Sequence, residues 1–144
     1  DPQFVIGETH GFVASINMYE GKWSPTSNLW EGGGSTQQSF GSGPQNTYTI
    51  ANSLSNNNYN FSAARICYNS VSGGYNDWYL PSLYEIIKIK PNMNLIYLNS
   101  SVHYWTSSDI SVERAWTSNS LPLGGGQPGL PKLQYMKYFA IRHF

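Results

Sequence analysis

The sequence is poor in charge. Asp, Glu, Lys and Arg make up 11% of its 144 residues, and eight basic side chains balance eight acidic ones. Globular domains carry roughly 25% charged residues. A chain without net charge has no global attraction to nucleic acid or to an anionic membrane. Binding of a polyanion therefore requires local clustering of basic side chains, or a symmetric oligomer that brings copies of one patch together.

Cysteine is nearly absent as well. Because Cys67 is the only cysteine, an intramolecular disulfide and a zinc site built from cysteines are both excluded. It lies in the apolar segment from Ala63 to Tyr68, which predicts a small buried hydrophobic side chain and not a reactive thiol. The fold must therefore depend on packing or on oligomerisation.

Long hydrophobic segments are missing too. No apolar run is long enough to span a bilayer, and no basic-then-apolar signal peptide begins at Asp1. We therefore expect no membrane insertion, and we interpret the first residues as an internal position in a longer protein. The length fits a single domain, residues 1–144, that can bury a sizeable core.

Aromatic residues, in contrast, are abundant. Five Trp, eleven Tyr and six Phe occur among many Asn, Ser and Gly residues. This composition is typical of extracellular binding or structural domains, where aromatic platforms and neutral polar surfaces meet carbohydrate. Trp23 and Trp30 lie in a long loop-like region, residues 19–46. We interpret both as hydrophobic plugs for that region, with sugar stacking by one of them as the alternative.

The segment from Gly73 to Ile87 carries the most structural information. Ser82 followed by Glu85 forms a capping box, which predicts the start of a helix. Trp78 and Leu80 occupy alternate positions before it and should point into a core from the same side of an extended segment. The helix should stop near residue 90, because proline at the next position disfavours helical geometry.

The remaining pattern predicts a mixed fold. Short strands are expected at 4–6, 11–16, 102–108 and 114–117, with the best strand candidate at 135–142. A polar turn containing Asp109 should join two of them, and a hinge rich in Gly and Pro spans 121–129. Helices are predicted over 46–54 and through Cys67, the second capped by Asn60 or Ser62, while 94–98 fits a helix or a strand. This order indicates an α+β domain with an antiparallel sheet of short strands, about three short helices and long loops rich in Gly, Ser and Asn.

The ordered motifs resemble a known family. They are Gly11-Phe12-Val13-Ala14 after His10, Asn46-Thr47 with Ile50, Ala63-Ala64 with Cys67, Gly74-Tyr75-Asn76-Asp77-Trp78-Tyr79-Leu80-Pro81-Ser82 with Glu85, Tyr104-Trp105-Thr106-Ser107-Ser108, Ala115-Trp116, and Lys137 with Ile141-Arg142. Over nearly the whole chain, this set is similar to the C-terminal domain of the Legionella collagen-like protein and its bacterial relatives.

The resemblance implies a fold related to C-type-lectin-like domains, at the end of a collagen-like stalk on a bacterial cell surface. Because collagen stalks are three-stranded, it also implies a homotrimer. The implied function is that of an adhesin that binds sulfated polysaccharides, such as heparin-type glycosaminoglycans.

Sulfated glycans require cations that meet the sulfate oxygens. The main candidates are Lys22, Lys88, Lys90, Lys132 and Lys137, and Arg114, Arg142 and His143 are secondary candidates. Lys88 and Lys90 also suit the C-terminal end of a helix, where a cation interacts favourably with the helix dipole. Arg65 and Arg142 lie in apolar motifs and are predicted to pair with Asp77 or Glu85. Three-fold symmetry could gather any of the lysines into a basic cleft.

Other functions remain as alternatives. A calcium-dependent lectin would need clustered carboxylates to hold the ion. A Gln-Pro-Asp-type calcium loop supplies one of them, but Gln127-Pro128-Gly129 has glycine where that aspartate would be. A purely structural trimerisation cap for the stalk is a further alternative. We expect no enzymatic activity, no cofactor, no metal and no nucleic-acid partner. The lectin-like oxidases that generate formylglycine use paired cysteines, whereas this chain has only Cys67. His10, His103 and His143 suggest no catalytic constellation.

Overall fold

The structure is a computed structural model that describes residues 11–24, 36–53, 62–119 and 129–144. These residues form a mixed α+β fold with antiparallel sheets, as predicted. The strands are β1 (Phe12–Gly21), β2 (Trp105–Asp109), β3 (Arg114–Thr117), β4 (Leu130–Pro131) and β5 (Met136–His143). The helices are α1 (Gly43–Ser53), α2 (Ala63–Tyr68) and α3 (Leu83–Ile89), and a 3₁₀ helix (Lys90–Ile96) follows α3 directly.

Strand β5 lies between two hydrophobic clusters. Successive side chains of a strand point to opposite sides. Tyr138 and Ala140 accordingly join a first cluster around Trp23 and Trp105, whereas Phe139 and Ile141 join a second one. The middle of β5, residues 138–141, is therefore buried on both faces, and this explains its continuous run of apolar residues.

Strand β1 pairs with β5 in an antiparallel ribbon that changes register between Ala14 and Met18. Before the irregularity, Phe12 and Ala14 pack against the second cluster. After it, Tyr19 packs against the first cluster and stacks on Tyr138, with ring centroids 5.4 Å apart. The irregularity thus allows one strand to serve both clusters.

The second sheet has the order β2-β3-β4. All five residues of β2 are buried, and the indole of Trp105 donates to the Gly21 carbonyl at 3.0 Å. Trp78 and Leu80 are core residues, as predicted, and Trp105 belongs to the same cluster. The prediction for Asp109 was wrong: it is not in a polar turn but is the last residue of β2 and is buried.

The capping box is confirmed. The Ser82 hydroxyl accepts from the Glu85 amide, and Glu85 Oε2 accepts from the Ser82 amide at 2.7 Å. The α-helix ends at Ile89, as expected before Pro91, but helical geometry does not end there. Pro91 lies in the first turn of the 3₁₀ helix, where its missing N–H leaves no helical hydrogen bond unmade.

Of the remaining predictions, some are confirmed, some differ in the bounds of an element, and some lie outside the described residues. Ser62 caps α2, and Cys67 is buried, which raises the pKa of its thiol. Helix α1 begins at Gly43, earlier than predicted, and β1 extends through residues 19–21, which the sequence suggested were part of a loop. The predicted strand at 4–6, His10, Trp30, Asn60 and residues 121–128 of the hinge lie outside the described residues.

Candidate functional site

The lysines predicted to bind sulfate lie in different environments. Lys132 is fully buried, with its Nζ 3.2 Å from Asp109 Oδ2 and 4.2 Å from the centroid of the Trp23 ring. Burial lowers the pKa of Lys132, and the Asp109 carboxylate acts in the opposite direction. No part of the Lys132 side chain reaches solvent, so this lysine is a core residue and offers no surface to a polysaccharide.

Two other lysines have partners within the chain. The half-buried Lys90 donates to the Ser118 carbonyl at 3.4 Å and to Asn119 Oδ1, which ties the start of the 3₁₀ helix to the end of β3. Lys22 Nζ lies 5.6 Å from the centroid of the Tyr135 ring, beyond the end of β1. Both ammonium groups therefore already contribute to intramolecular contacts.

The arginines are structural. Arg142 binds Asp77 through two hydrogen bonds of 2.7 and 2.9 Å, which confirms the predicted pairing. Arg65 does not take the predicted partners: its guanidinium donates to the Ala51 carbonyl at 3.0 Å and joins α2 to α1. Arg114 donates to the Gly129 carbonyl at 2.6 Å.

Lys137 and Lys88 are both exposed, but their surroundings differ. Lys137 lies on β5 directly opposite Glu20 of β1, so an acidic side chain neighbours it on the ribbon. Lys88 lies at a surface groove of about 610 Å³. With the residues that the structure describes, the Lys88 side chain makes no hydrogen bond and no ion pair.

One wall of the groove is the outer face of α3 and the start of the 3₁₀ helix. It consists of Tyr84, Ile87, Lys88 and Pro91, at positions i, i+3, i+4 and i+7. Residues at this spacing share one face of a helix. The opposite face, with Leu83, Ile86 and Ile89, is buried in the fold. The amphipathic pattern of α3 therefore presents a tyrosine and a lysine side by side toward solvent.

The other wall consists of Ser39 and Phe40. The backbone around them is attached to α3 at three points: the Tyr84 amide donates to the Gln38 carbonyl at 3.0 Å, the Ser82 hydroxyl to the Ser39 carbonyl at 2.9 Å, and the Gly41 amide to Glu85 Oε1 at 3.1 Å. From behind, the Phe12 ring meets Phe40 edge to face, with centroids 5.4 Å apart. These contacts fix the position of Phe40.

Glu85 connects the scaffold to the groove. Its side chain is buried, and one carboxylate oxygen caps α3 while the other holds Gly41 beside Phe40. A Cβ atom at Gly43 would overlap Glu85 Oε2 and the Tyr79 ring, so glycine allows α1 to approach this carboxylate. His143 Nε2 lies 3.7 Å from Glu85 Oε1. Burial and the neighbouring Glu85 carboxylate raise the pKa of Tyr79 on the other side of this group.

The sequence analysis missed Tyr84 and Phe40. The signal for Tyr84 was present, because a helix predicted to start at Ser82 with buried residues at 83 and 86 must expose 84, 87 and 88. Phe40 carried no such signal. Its place in the groove depends on contacts with α3 that are more than 40 positions away along the chain.

The groove is suited to binding. The described residues make its walls mostly apolar, with exposed rings of Phe40 and Tyr84 and one ammonium group, that of Lys88. Such a site fits a ligand that has an apolar face and an anionic substituent. Within the described residues, no three side chains of His, Cys, Asp or Glu are grouped so that they could hold a metal ion. Among the described helices, none combines the length and the apolar character needed to cross a bilayer.

Comparison with known proteins does not assign the chain. No protein-family model matches it, and no curated protein is significantly similar to it in sequence.

Proposed function

We propose that this chain is a non-enzymatic domain that binds sulfated polysaccharides, and that the groove between α3 and residues 39–40 is its binding site. One observation carries the proposal: Lys88 lies beside two exposed aromatic rings and has no anionic partner among the described residues. A lysine ammonium is a point charge with three donors, which suits sulfate oxygens.

The aromatic walls support a sugar ligand. A pyranose ring has an apolar C–H face, and the rings of Phe40 and Tyr84 are 40% and 49% exposed, so they are available to contact such a face. Sulfate groups project from the edge of the sugar ring, where the Lys88 ammonium can reach them. The five-lysine cluster expected from the sequence is replaced in this proposal by one lysine and two aromatic rings.

The proposal also includes the wider properties that the sequence resemblance implies. We propose a fold related to C-type-lectin-like domains, a homotrimer at the end of a collagen-like stalk, and a place on the bacterial cell surface as an adhesin. A trimer would present three copies of the groove and increase the affinity for a long polysaccharide through multivalency. Light scattering should give the mass of a trimer at micromolar concentration, and the mass of a monomer would reject this part.

A pair of lysine variants tests the binding site. Lys88→Ala should weaken the binding of a sulfated polysaccharide by about tenfold, because a hydrogen bond to a charged group contributes about 1.5–3 kcal/mol. Lys137→Ala removes another exposed lysine, which lies opposite Glu20, and should leave affinity within about twofold. Affinity is measured by titration of the soluble polysaccharide, with retention on immobilised heparin as the second readout.

The same experiment separates the alternatives. Equal losses in the two lysine variants would reject the groove as the site. Binding that disappears in EDTA would favour a calcium-dependent lectin, because a site built on Lys88 needs no metal ion and should bind equally well with a chelator present. A protein that binds no sulfated polysaccharide under any of these conditions would fit a purely structural cap of the stalk.

A further inference from the structure

The groove holds very little charge for a site that recognises a polyanion. Of the described residues that line it, Lys88 is the only one with a charged side chain. Lys90, two positions along the chain, is directed to Ser118 and Asn119. A densely sulfated chain needs several cations along its path, and the described part of this groove offers one.

Lys22 and Lys137 do not supply the missing charges. Phe40 at the groove packs on Phe12, the first residue of β1. Lys137 is paired in register with Glu20, near the other end of the same strand, and Lys22 follows that end. Phe12 pairs with His143 and Glu20 pairs with Lys137, so the two points are six positions apart along β5, which corresponds to roughly 20 Å at a rise of 3.3 Å per residue. The two lysines therefore lie well away from the groove.

The aromatic walls, in contrast, are held in place before any ligand binds. Tyr84 projects from a helix whose cap is complete, and Phe40 is fixed by the Glu85–Gly41 hydrogen bond and the Phe12 ring. A wall that is already ordered loses little conformational entropy on binding, so its contacts contribute more to affinity.

We infer that the groove binds one sugar ring that carries a single anionic group, and that contact with Tyr84 and Phe40 supplies more of the affinity than the charge does. This inference rests on the proposed function and narrows the ligand class to sparsely charged acidic polysaccharides, with one sulfate or carboxylate per neutral, stackable unit. Sulfated and carboxylated units of this kind share the same recognition chemistry, which is one anionic group at the edge of an apolar sugar face.

The dependence of affinity on salt tests the number of charges. Log affinity falls as log salt concentration rises, and each ion pair to a polyanion steepens this fall by at most about one unit of slope. We expect a fall of about one unit or less for a monosulfated disaccharide and an equal fall for a more heavily sulfated disaccharide of the same size. In Lys88→Ala the slope should fall close to zero while measurable affinity remains.

Variants of Tyr84 test the aromatic contact. Tyr84→Ala should weaken binding of the monosulfated disaccharide by about tenfold or more, as for the loss of a stacking platform. Tyr84→Phe keeps the ring and should bind within about twofold of the unchanged protein. Both variants should remain folded, because the hydrogen bond from residue 84 to Gln38 uses the backbone amide and the side chain is half exposed.

The outcomes separate this inference from the proposed function. A slope of three or more, or full affinity in Tyr84→Ala together with lost binding in Lys88→Ala, would overturn the inference and leave the proposed function standing. A change of oligomeric mass in Tyr84→Ala would also overturn it, because the groove would then hold a second copy of the chain. If no anionic saccharide binds to the unchanged protein, the proposed function fails as well.

Discussion

Two cations of this fold have the same kinds of partner in opposite surroundings. Lys132 is paired with Asp109 and lies over Trp23, and both charged side chains are 0% exposed. Arg142 is paired with Asp77 and lies 3.8 Å from the centroid of the Tyr75 ring, with side chains 13% and 54% exposed. Each site combines a cation, a carboxylate and an aromatic ring, yet one is in the core and the other is at the surface.

The comparison shows how little the residue type says about the role of a cation. In the core, desolvation makes each charge depend on its partner, so the pair is a requirement of the fold. At the surface, water already solvates both charges, and the pair contributes little. Lys88 represents a third case, with an exposed ammonium, neighbouring rings and no anion among the described residues, and for this reason we propose it as the binding residue.

The core pair should give the largest effect when it is broken. Lys132→Met keeps the length and apolar stem of the side chain but removes the ammonium group that faces Asp109 in the core. We expect a loss of about 3–5 kcal/mol in the free energy of unfolding, which is a large share of the total stability of a domain. Urea unfolding followed by tryptophan fluorescence measures it, since Trp23 lies against Lys132.

A second substitution checks the cause of that loss. Asp109→Asn retains an oxygen that can accept from the Thr36 amide and hydroxyl but removes the charge. The combination of Lys132→Met with Asp109→Asn should recover at least about half of the stability lost in Lys132→Met, because no uncompensated charge remains in the core. If the double variant is as unstable as the sum of the single ones, the pair does not act as a charge pair.

The contrast between these sites explains which features the sequence could predict. The capping box of α3 involves residues three positions apart, so its geometry follows from local chain directions, and the inward Trp78 and Leu80 follow from strand alternation. The Lys132–Asp109 pair joins positions 23 apart and depends on the pairing of β2, β3 and β4. Without that pairing, Asp109 looks like a turn residue and Lys132 like a surface cation.

Of the two walls of the groove, only the helical one could be predicted from the sequence, for the same reason. Its helical wall repeats a local pattern that exposes Tyr84 and Lys88, and Lys88 was among the predicted binding residues. The opposite wall is fixed by the hydrogen bond between Gly41 and Glu85, which are 44 positions apart. The Glu85 side chain could be predicted to cap a helix, but its second oxygen could not be assigned to a loop before the fold was known.

The surface pair should give the smallest effect, and a change of pH isolates it. Hydrogen bonds from Arg142 hold the pKa of Asp77 below its ordinary value of 3.8. A carboxylate whose pKa is depressed by folding stabilises the fold above its unfolded pKa, and this stabilisation is lost as the pH falls through the folded value.

Asp77→Asn should therefore lower stability at neutral pH by roughly a tenth of the Lys132→Met effect or less. The difference between Asp77→Asn and the unchanged protein should shrink to zero below the depressed pKa, as followed by thermal unfolding across that range. A difference that persists in strong acid would mean that Asp77 contributes through packing, and the two cation sites would then differ less than their exposure indicates.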